Sequence, residues 1–170
     1  MNMRMRNRRS GPILGAAAII VGLGACLGDS EFIGPEPIPI EDTEFAPELG
    51  VNLKEMTRTD EGLYLQDIEV GEGEKVVAGD SIAVYYTGWL SDGKEFDGTE
   101  EGTPVHFVIG MDRLIAGWEL GVPGMREGGK RRLVIPYYLG YGNMHYGPIP
   151  AYSTLVFDIE VVEVFRDDED

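Results

Sequence analysis

Apolar and polar residues alternate over most of the last two-thirds of the chain, and the alternation has the period of strands. Leu63 to Val70 is rich in strand formers and stops at Gly71-Glu72-Gly73. Ser81 to Leu90 places Ile82, Val84 and Tyr86 on one face and Ala83 and Tyr85 on the other. Asp92-Gly93 then reads as a hairpin turn. Short strands are expected over Val105 to Ile109 and over Arg131 to Ile135, the second ending at Pro136. The last, Thr154 to Phe165, sets Leu155, Phe157, Ile159 and Val161 against Thr154, Asp158 and Glu160. Arg113 to Val122 is the one helical candidate, terminated by Pro123-Gly124. One short helix cannot cover both faces of such a sheet. The pattern predicts an α+β domain over about 59–166: an antiparallel sheet, wet on one side and wrapped on the other around a helix centred on Trp118.

The N-terminus follows a different pattern. Arg4, Arg6, Arg8 and Arg9 precede an apolar stretch from Ile13 to Ala25, with no acid before Asp29. The stretch is too short to span a membrane and has the length of a signal segment, here 1–25. Arg8-Arg9 hints at a twin-arginine signal, but the general secretory route fits alternating arginines better. The segment ends Leu23-Gly24-Ala25-Cys26, which resembles a bacterial lipobox, where the cysteine is lipidated and becomes the new N-terminus. The plainer alternative is a stray thiol in a discarded leader. Cys26 is the only cysteine, so the chain forms no internal disulfide. A lipid anchor implies a cell-envelope location outside the cytoplasm, on the periplasmic or outer-membrane side. Leu27 carries no acidic retention signal and leans towards the outer membrane.

Residues 26–58 are rich in Pro, Glu and Asp, as in Gly34-Pro35-Glu36-Pro37-Ile38-Pro39. That composition predicts an extended acidic tether. The alternative is a segment that folds on a partner, and whether Phe45 to Val51 packs on the domain stays open. Residues 167–170 read as a solvated acidic tail. The chain has 14 basic and 30 acidic residues; loss of the leader removes four arginines and leaves a net charge near −20. So acidic a body excludes nucleic-acid binding and repels anionic headgroups, leaving attachment to acyl chains.

Five short runs carry a more specific signal. They are Val84-Tyr85-Tyr86-Thr87-Gly88, Lys94-Glu95-Phe96-Asp97-Gly98, Leu114-Ile115-Ala116-Gly117-Trp118-Glu119, Tyr141-Gly142 and Thr154-Leu155-Val156-Phe157-Asp158. In order and spacing, from about Gly62 to Phe165, they resemble the FKBP-type peptidyl-prolyl isomerases. The resemblance implies an antiparallel β half-barrel around one short helix. It also implies rotation about X–Pro bonds, which breaks no bond and needs no cofactor or metal. Trp118 is then the floor under the proline ring. Tyr86, Phe96 and Phe157 are walls, Leu114 and Ile115 the rim, and His145 and Ile149 the border of the loop from Gly140 to Pro150. The Ile115 N–H donates to a peptide carbonyl. Asp97 accepts from the Tyr86 hydroxyl and faces the substrate carbonyl carbon, and Tyr141 donates from the far side. The implied partners are proline-containing polypeptides and rapamycin-type macrolides, and the protein is expected to be a monomer.

Each residue also has an ordinary reading. Trp118, Phe157 and Ile115 suit a core, Asp97-Gly98 suits a turn, Tyr86 and Tyr141 suit strands, and His145 suits a loop surface. The chain also departs from the family. The loop Gly98 to Thr103 has no arginine to pair with Asp97, and Val105 stands where an aromatic wall is common, so that side should be shallower. Asn143-Met144-His145-Tyr146 should narrow the mouth. A membrane-anchored FKBP-like chaperone or binding module without catalysis is the alternative function, and a lipoprotein subunit of an envelope complex a third. Gly124 to Lys130 matches the start of a phosphate loop, but Arg131 follows where Ser or Thr is needed, and a strand follows where a helix must. His106 and His145 are too few for a zinc site.

Overall fold

The structure, a computed structural model, describes residues 36–111 and 114–166. The signal segment, Cys26, the first ten tether residues, Arg113 and the acidic tail lie outside the described residues. Among the described residues there are seven strands: β1 (Thr57–Arg58), β2 (Tyr64–Glu69), β3 (Ser81–Leu90), β4 (Glu95–Gly98), β5 (Val105–Val108), β6 (Lys130–Ile135) and β7 (Leu155–Phe165). The one α-helix, α1, is Ala116–Gly121. All pairings are antiparallel, in the order β1-β2-β6-β7-β3-β4, with β5 also on β3. The expected strands are all present, within a residue or so at their ends.

β3 organises the sheet. One edge pairs with β7 from Ser81↔Phe165 to Leu90↔Leu155. The other edge is shared: β4 takes Thr87 to Trp89 and β5 takes Ser81 to Val84. Along β7, Leu155, Phe157, Ile159 and Val161 all enter the core under the helix. A register shift opposite Ala83 and Val84 makes Val162 an extra residue, so Val164 rather than Glu163 joins that face.

α1 is shorter than the predicted 113–122. Ile115 is extended (φ −68°, ψ 147°) and opens the helix, while Pro123 and a left-handed Gly124 (φ 89°) follow its end. The helix lies close on β6 because its facing positions lack side chains. A Cβ on Gly117 would sit 2.5 Å from Ile135 Cγ2, and one on Gly121 2.7 Å from Leu133 Cδ1. Buried Arg131 donates to the last helical carbonyl, Gly121 O, at 2.8 Å and pairs with Asp67 at 2.6 Å. A cation at this end of a helix also meets the negative pole of its dipole.

The second face is not simply wet, and the tether expected over 26–58 is corrected over 36–58. This segment straps the outer face. Ile40, Leu49 and Met56 are buried against Tyr64, Val134 and Val156, with Phe45, Ala46, Val51, Leu53 and Trp89 packed around them. Three 3₁₀ turns, Ile40–Asp42, Pro47–Leu49 and Leu53–Glu55, space the apolar side chains onto the sheet. Polar ties hold the strap. The Ala46 N–H donates to Ser91 O at 2.8 Å, and the Tyr64 hydroxyl to Glu41 at 2.8 Å. Arg132 grips Asp158 through two bonds, of 2.6 and 2.8 Å, and donates to the Leu49 carbonyl. Prolines and acids predicted extension, yet each buried aliphatic contributes roughly 1.5–3 kcal/mol, enough to hold the segment down. Among the described residues no helix is long and apolar enough to cross a membrane.

Candidate functional site

Four aromatic rings meet where β3, β5, α1 and β7 converge. The Trp118 ring, 4% exposed, is met edge-on by Tyr86 at 5.2 Å, Phe157 at 5.5 Å and Phe107 at 5.5 Å between ring centroids. Alternation on β3 and β7 aims Tyr86 and Phe157 at the helix, and Gly88 leaves room for Phe157 and for Phe96 beside it. A Cβ there would lie 2.7 Å from Phe157 and 2.9 Å from Phe96. Over this floor lies a cavity of about 240 Å³, lined by Tyr86, Asp97, Phe107, Leu114, Ile115, Trp118, Tyr141, Tyr146 and Phe157.

Polar groups converge on the same space. The Tyr86 hydroxyl donates to Asp97 Oδ2 at 2.8 Å, and the Gly98 N–H donates to Asp97 Oδ1 at 2.9 Å. Burial, the bond to Asp97 and the charge of Asp97 push the Tyr86 phenol well above its ordinary value. It stays neutral and can only donate to that carboxylate. Tyr141 is also raised, by burial and then by its neighbours Tyr146 and Asp97. Its hydroxyl makes no hydrogen bond among the described residues, nor does the Ile115 N–H at the mouth of the helix. The cavity thus has an apolar floor, a carboxylate on one side and two donors without a partner among the described residues. It suits a five-membered ring with peptide carbonyls on either flank.

Comparison with known proteins agrees. A model of the family described as FKBP-type peptidyl-prolyl cis-trans isomerase matches residues 72–162, more than half of the chain. This chain belongs to that family. The FK506-binding protein of Neisseria meningitidis serogroup B is 42% identical over 107 residues, covering 62% of this chain and 98% of that protein. FK506-binding protein 4 of Gibberella zeae is 44% identical over 104 residues, covering 61% of this chain and 21% of that protein, so the chain spans about a fifth of this longer relative. The crystal structure of FkpA from Escherichia coli superimposes with a TM-score of 0.61 at 41% identity, over 69% of this chain and 55% of that one. That of AtFKBP13 gives 0.60 at 38%, over 64% and 98%.

Within this FKBP domain, seven of the candidate residues, Tyr86, Asp97, Leu114, Ile115, Trp118, Tyr141 and Phe157, line one cavity. Three predicted residues stand elsewhere. Phe96 backs Phe157 edge-on at 5.5 Å instead of lining the cavity. His145 is exposed, and Ile149, 2% exposed, is buried in the core. One turn explains both: Tyr146 and Ile149 exchange backbone bonds of 2.9 Å, which sinks Ile149 and swings Tyr146 over the mouth. Tyr146 stacks on Tyr141 at 4.6 Å and 15°, so the expected narrowing comes from this ring. Phe107 was also missed. It lies two residues beyond Val105 on the same face of β5 and supplies the aromatic that Val105 lacks, so that side is not left bare. The period-2 alternation of β5 was the signal that could have found it.

No cation pairs with Asp97 among the described residues, and no three His, Cys, Asp or Glu side chains gather as a metal site needs. A larger hollow of about 510 Å³ on the outer face, lined by Tyr85, Thr87, Trp89, Lys130, Asp158 and Glu160 among others, is more open to solvent than the cavity over Trp118. The Gly124 to Lys130 run is a turn leading into β6, as its sequence suggests.

Proposed function

We propose that this protein accelerates cis–trans rotation about X–Pro bonds in polypeptides outside the cytoplasm, held at a membrane by lipid on Cys26. The observation that carries the reaction is the Trp118 floor with Asp97, Tyr141 and the Ile115 N–H facing one cavity. The barrier to rotation, about 18–20 kcal/mol, is amide resonance. At the top of that barrier the carbonyl has lost charge and the nitrogen is pyramidal. An apolar slot favours this less polar form over either planar isomer, so binding is tighter at the transition geometry than in the ground state. The Ile115 N–H and the Tyr141 hydroxyl orient the flanking carbonyls. Asp97 faces the carbonyl carbon, whose positive character rises as resonance is lost. The Tyr86 hydroxyl keeps the carboxylate aimed.

Apolar walls and fixed donors also suit the macrolides for which the relatives are named, and a rapamycin-type compound is the expected inhibitor. The convergence of polar groups favours catalysis over the alternative of a passive FKBP-like chaperone module. The membrane assignment rests on Leu23-Gly24-Ala25-Cys26 and the arginine-flanked apolar segment before it.

Two experiments test this reading. Purified protein is added to a proline-containing reporter peptide whose cleavage is limited by its cis fraction; an unchanged slow phase, with or without macrolide, defeats the reaction. Mass spectrometry of protein from bacterial membranes reads the anchor. Acyl-modified Cys26 at the new N-terminus is expected, and an unmodified, uncleaved leader defeats the localisation.

A further inference from the structure

β4 and β5 share one edge of β3 but do not meet. β4 faces Thr87 to Trp89 and β5 faces Ser81 to Val84, which leaves Tyr85 and Tyr86 opposite neither strand. Thr99, just past the end of β4, fills the gap. Its N–H donates to Tyr86 O at 3.0 Å, its hydroxyl accepts from the Tyr86 N–H at 3.2 Å, and the same oxygen lies 3.3 Å from Tyr86 O. Two residues earlier Asp97 accepts from the Tyr86 hydroxyl at 2.8 Å. The path from Tyr86 main chain to Thr99, through Gly98 to Asp97, and back through the phenol to Tyr86 is therefore closed. Thr99 itself is not among the residues lining the cavity.

Resting on the isomerase reading, we propose that Thr99 is a positioning residue for that reaction, fixing the Tyr86 backbone so that its phenol reaches Asp97 while its ring stays on Trp118. Asp97 has only two neutral donors and no cation among the described residues, so its aim depends on the geometry of this closed path. Without the hydroxyl, the Tyr86 N–H loses its partner, and at this gap the edge of β3 away from β7 is held only by the Thr99 N–H on Tyr86 O. The phenol-to-carboxylate distance then varies.

The test uses the full chain with Thr99→Val, which keeps the shape and loses the hydroxyl, and Thr99→Ser, which keeps the hydroxyl. Loss of one neutral bond predicts an about fivefold fall in kcat/KM for Thr99→Val, and Thr99→Ser within about twofold of the parent. The second readout is the titration of Tyr86 by NMR of ring-labelled tyrosine, assigned by its absence in Tyr86→Phe. Thr99→Val should lower the Tyr86 midpoint by the share that the bond to Asp97 contributes, burial still holding it above that of a free phenol, and Thr99→Ser should not. Full activity in Thr99→Val overturns the proposal. So does lost activity with an unmoved Tyr86 midpoint, or a Thr99→Ser variant as impaired as Thr99→Val. A parent protein without isomerase activity would defeat the proposed function instead, and the Tyr86 titration would still decide whether Thr99 fixes the pair.

Discussion

Gly117→Ala adds one methyl group at the tightest contact under the site. The new Cβ would stand 2.5, 2.7 and 2.9 Å from three side-chain carbons of Ile135, which is itself fully buried. Carbon atoms prefer roughly 3.5–4.0 Å, so the helix and β6 must part by about 1 Å. Overpacking of this kind costs about 1–3 kcal/mol, and alanine returns up to about 1 kcal/mol over glycine in a helix. The net loss of stability is therefore about 0–2 kcal/mol. The effect on catalysis should be larger in proportion. Trp118 is the next residue along, and a misplacement near 1 Å is worth up to about a hundredfold in rate. We expect kcat/KM to fall at least about tenfold while the urea midpoint moves only modestly. Reporter-peptide kinetics and urea melts on the same preparation provide both numbers. A Gly117→Ala protein that is more stable than its parent and equally active would refute the close packing of α1 on β6, and with it the account of how the floor is placed.

Leu49→Ala empties a strap position that is 6% exposed and should cost about 2–4 kcal/mol; thermal melting checks this, and a loss below about 1 kcal/mol would mean the strap is loosely held. Arg131→Met keeps the aliphatic stem but frees the Gly121 carbonyl and leaves Asp67 without its guanidinium; a loss of about 1–3 kcal/mol is expected in urea, and an unchanged midpoint would show that the helix end needs no such partner. Burial alone would raise the Asp80 carboxyl, but hydrogen bonds from Arg166 and the Val77 N–H, with the Arg166 charge, hold it below its ordinary value. The stability this adds is present above the unfolded value near 3.9 and is lost as pH falls through the lowered folded value. Stability of Asp80→Asn should fall less steeply in that acid range, and a slope equal to the parent's would exclude Asp80 as a source.

Strand positions were legible because a sheet with one buried face writes a period of two into the chain. Ser81 to Leu90 and Thr154 to Phe165 carry it, although Ala83 and Val156 on the other face are buried as well and the extra residue Val162 breaks the period near the end of β7. The strap was not legible because its apolar residues have no period. Ile40, Leu49 and Met56 are nine and seven residues apart, and prolines and turns alone bring them to one face. In the site, the candidate residues of the recognised runs other than Phe96 face one cavity, since each run carries its own backbone geometry. His145 and Ile149 stand away from the cavity because one turn decides which loop residue covers the mouth, and a tight turn within a long loop leaves little trace in hydrophobicity; Tyr146, within the run expected to narrow the mouth, is the one that does so. Phe96 stands away from the cavity for another reason: it and Phe157 both lie against Gly88, which has no side chain to separate them, and Phe96 packs edge-on to Phe157.

α1 has six residues, far too few for a helix to persist by its own hydrogen bonds. The position of Trp118 must therefore come from tertiary contacts, and these lie on three sides. Gly117 and Gly121 set the distance to β6. Arg131 holds the C-terminal carbonyl. Glu119 accepts from the Gly110 N–H at 2.8 Å and ties the helix to the loop after β5, the strand that brings Phe107 to the cavity. None of these residues lines the cavity, yet each fixes the depth or tilt of its floor. It follows that site and core are one structure in this domain, and that conditions which loosen β6 should degrade the slot before the sheet unfolds. The strap enters the same argument from the other side. It covers Val134 and Val156 on the outer faces of β6 and β7, the two strands whose inner faces carry Leu133, Ile135 and Phe157. A segment whose composition marks it as a spacer thereby helps hold rigid the sheet on which the floor and one wall of the cavity rest.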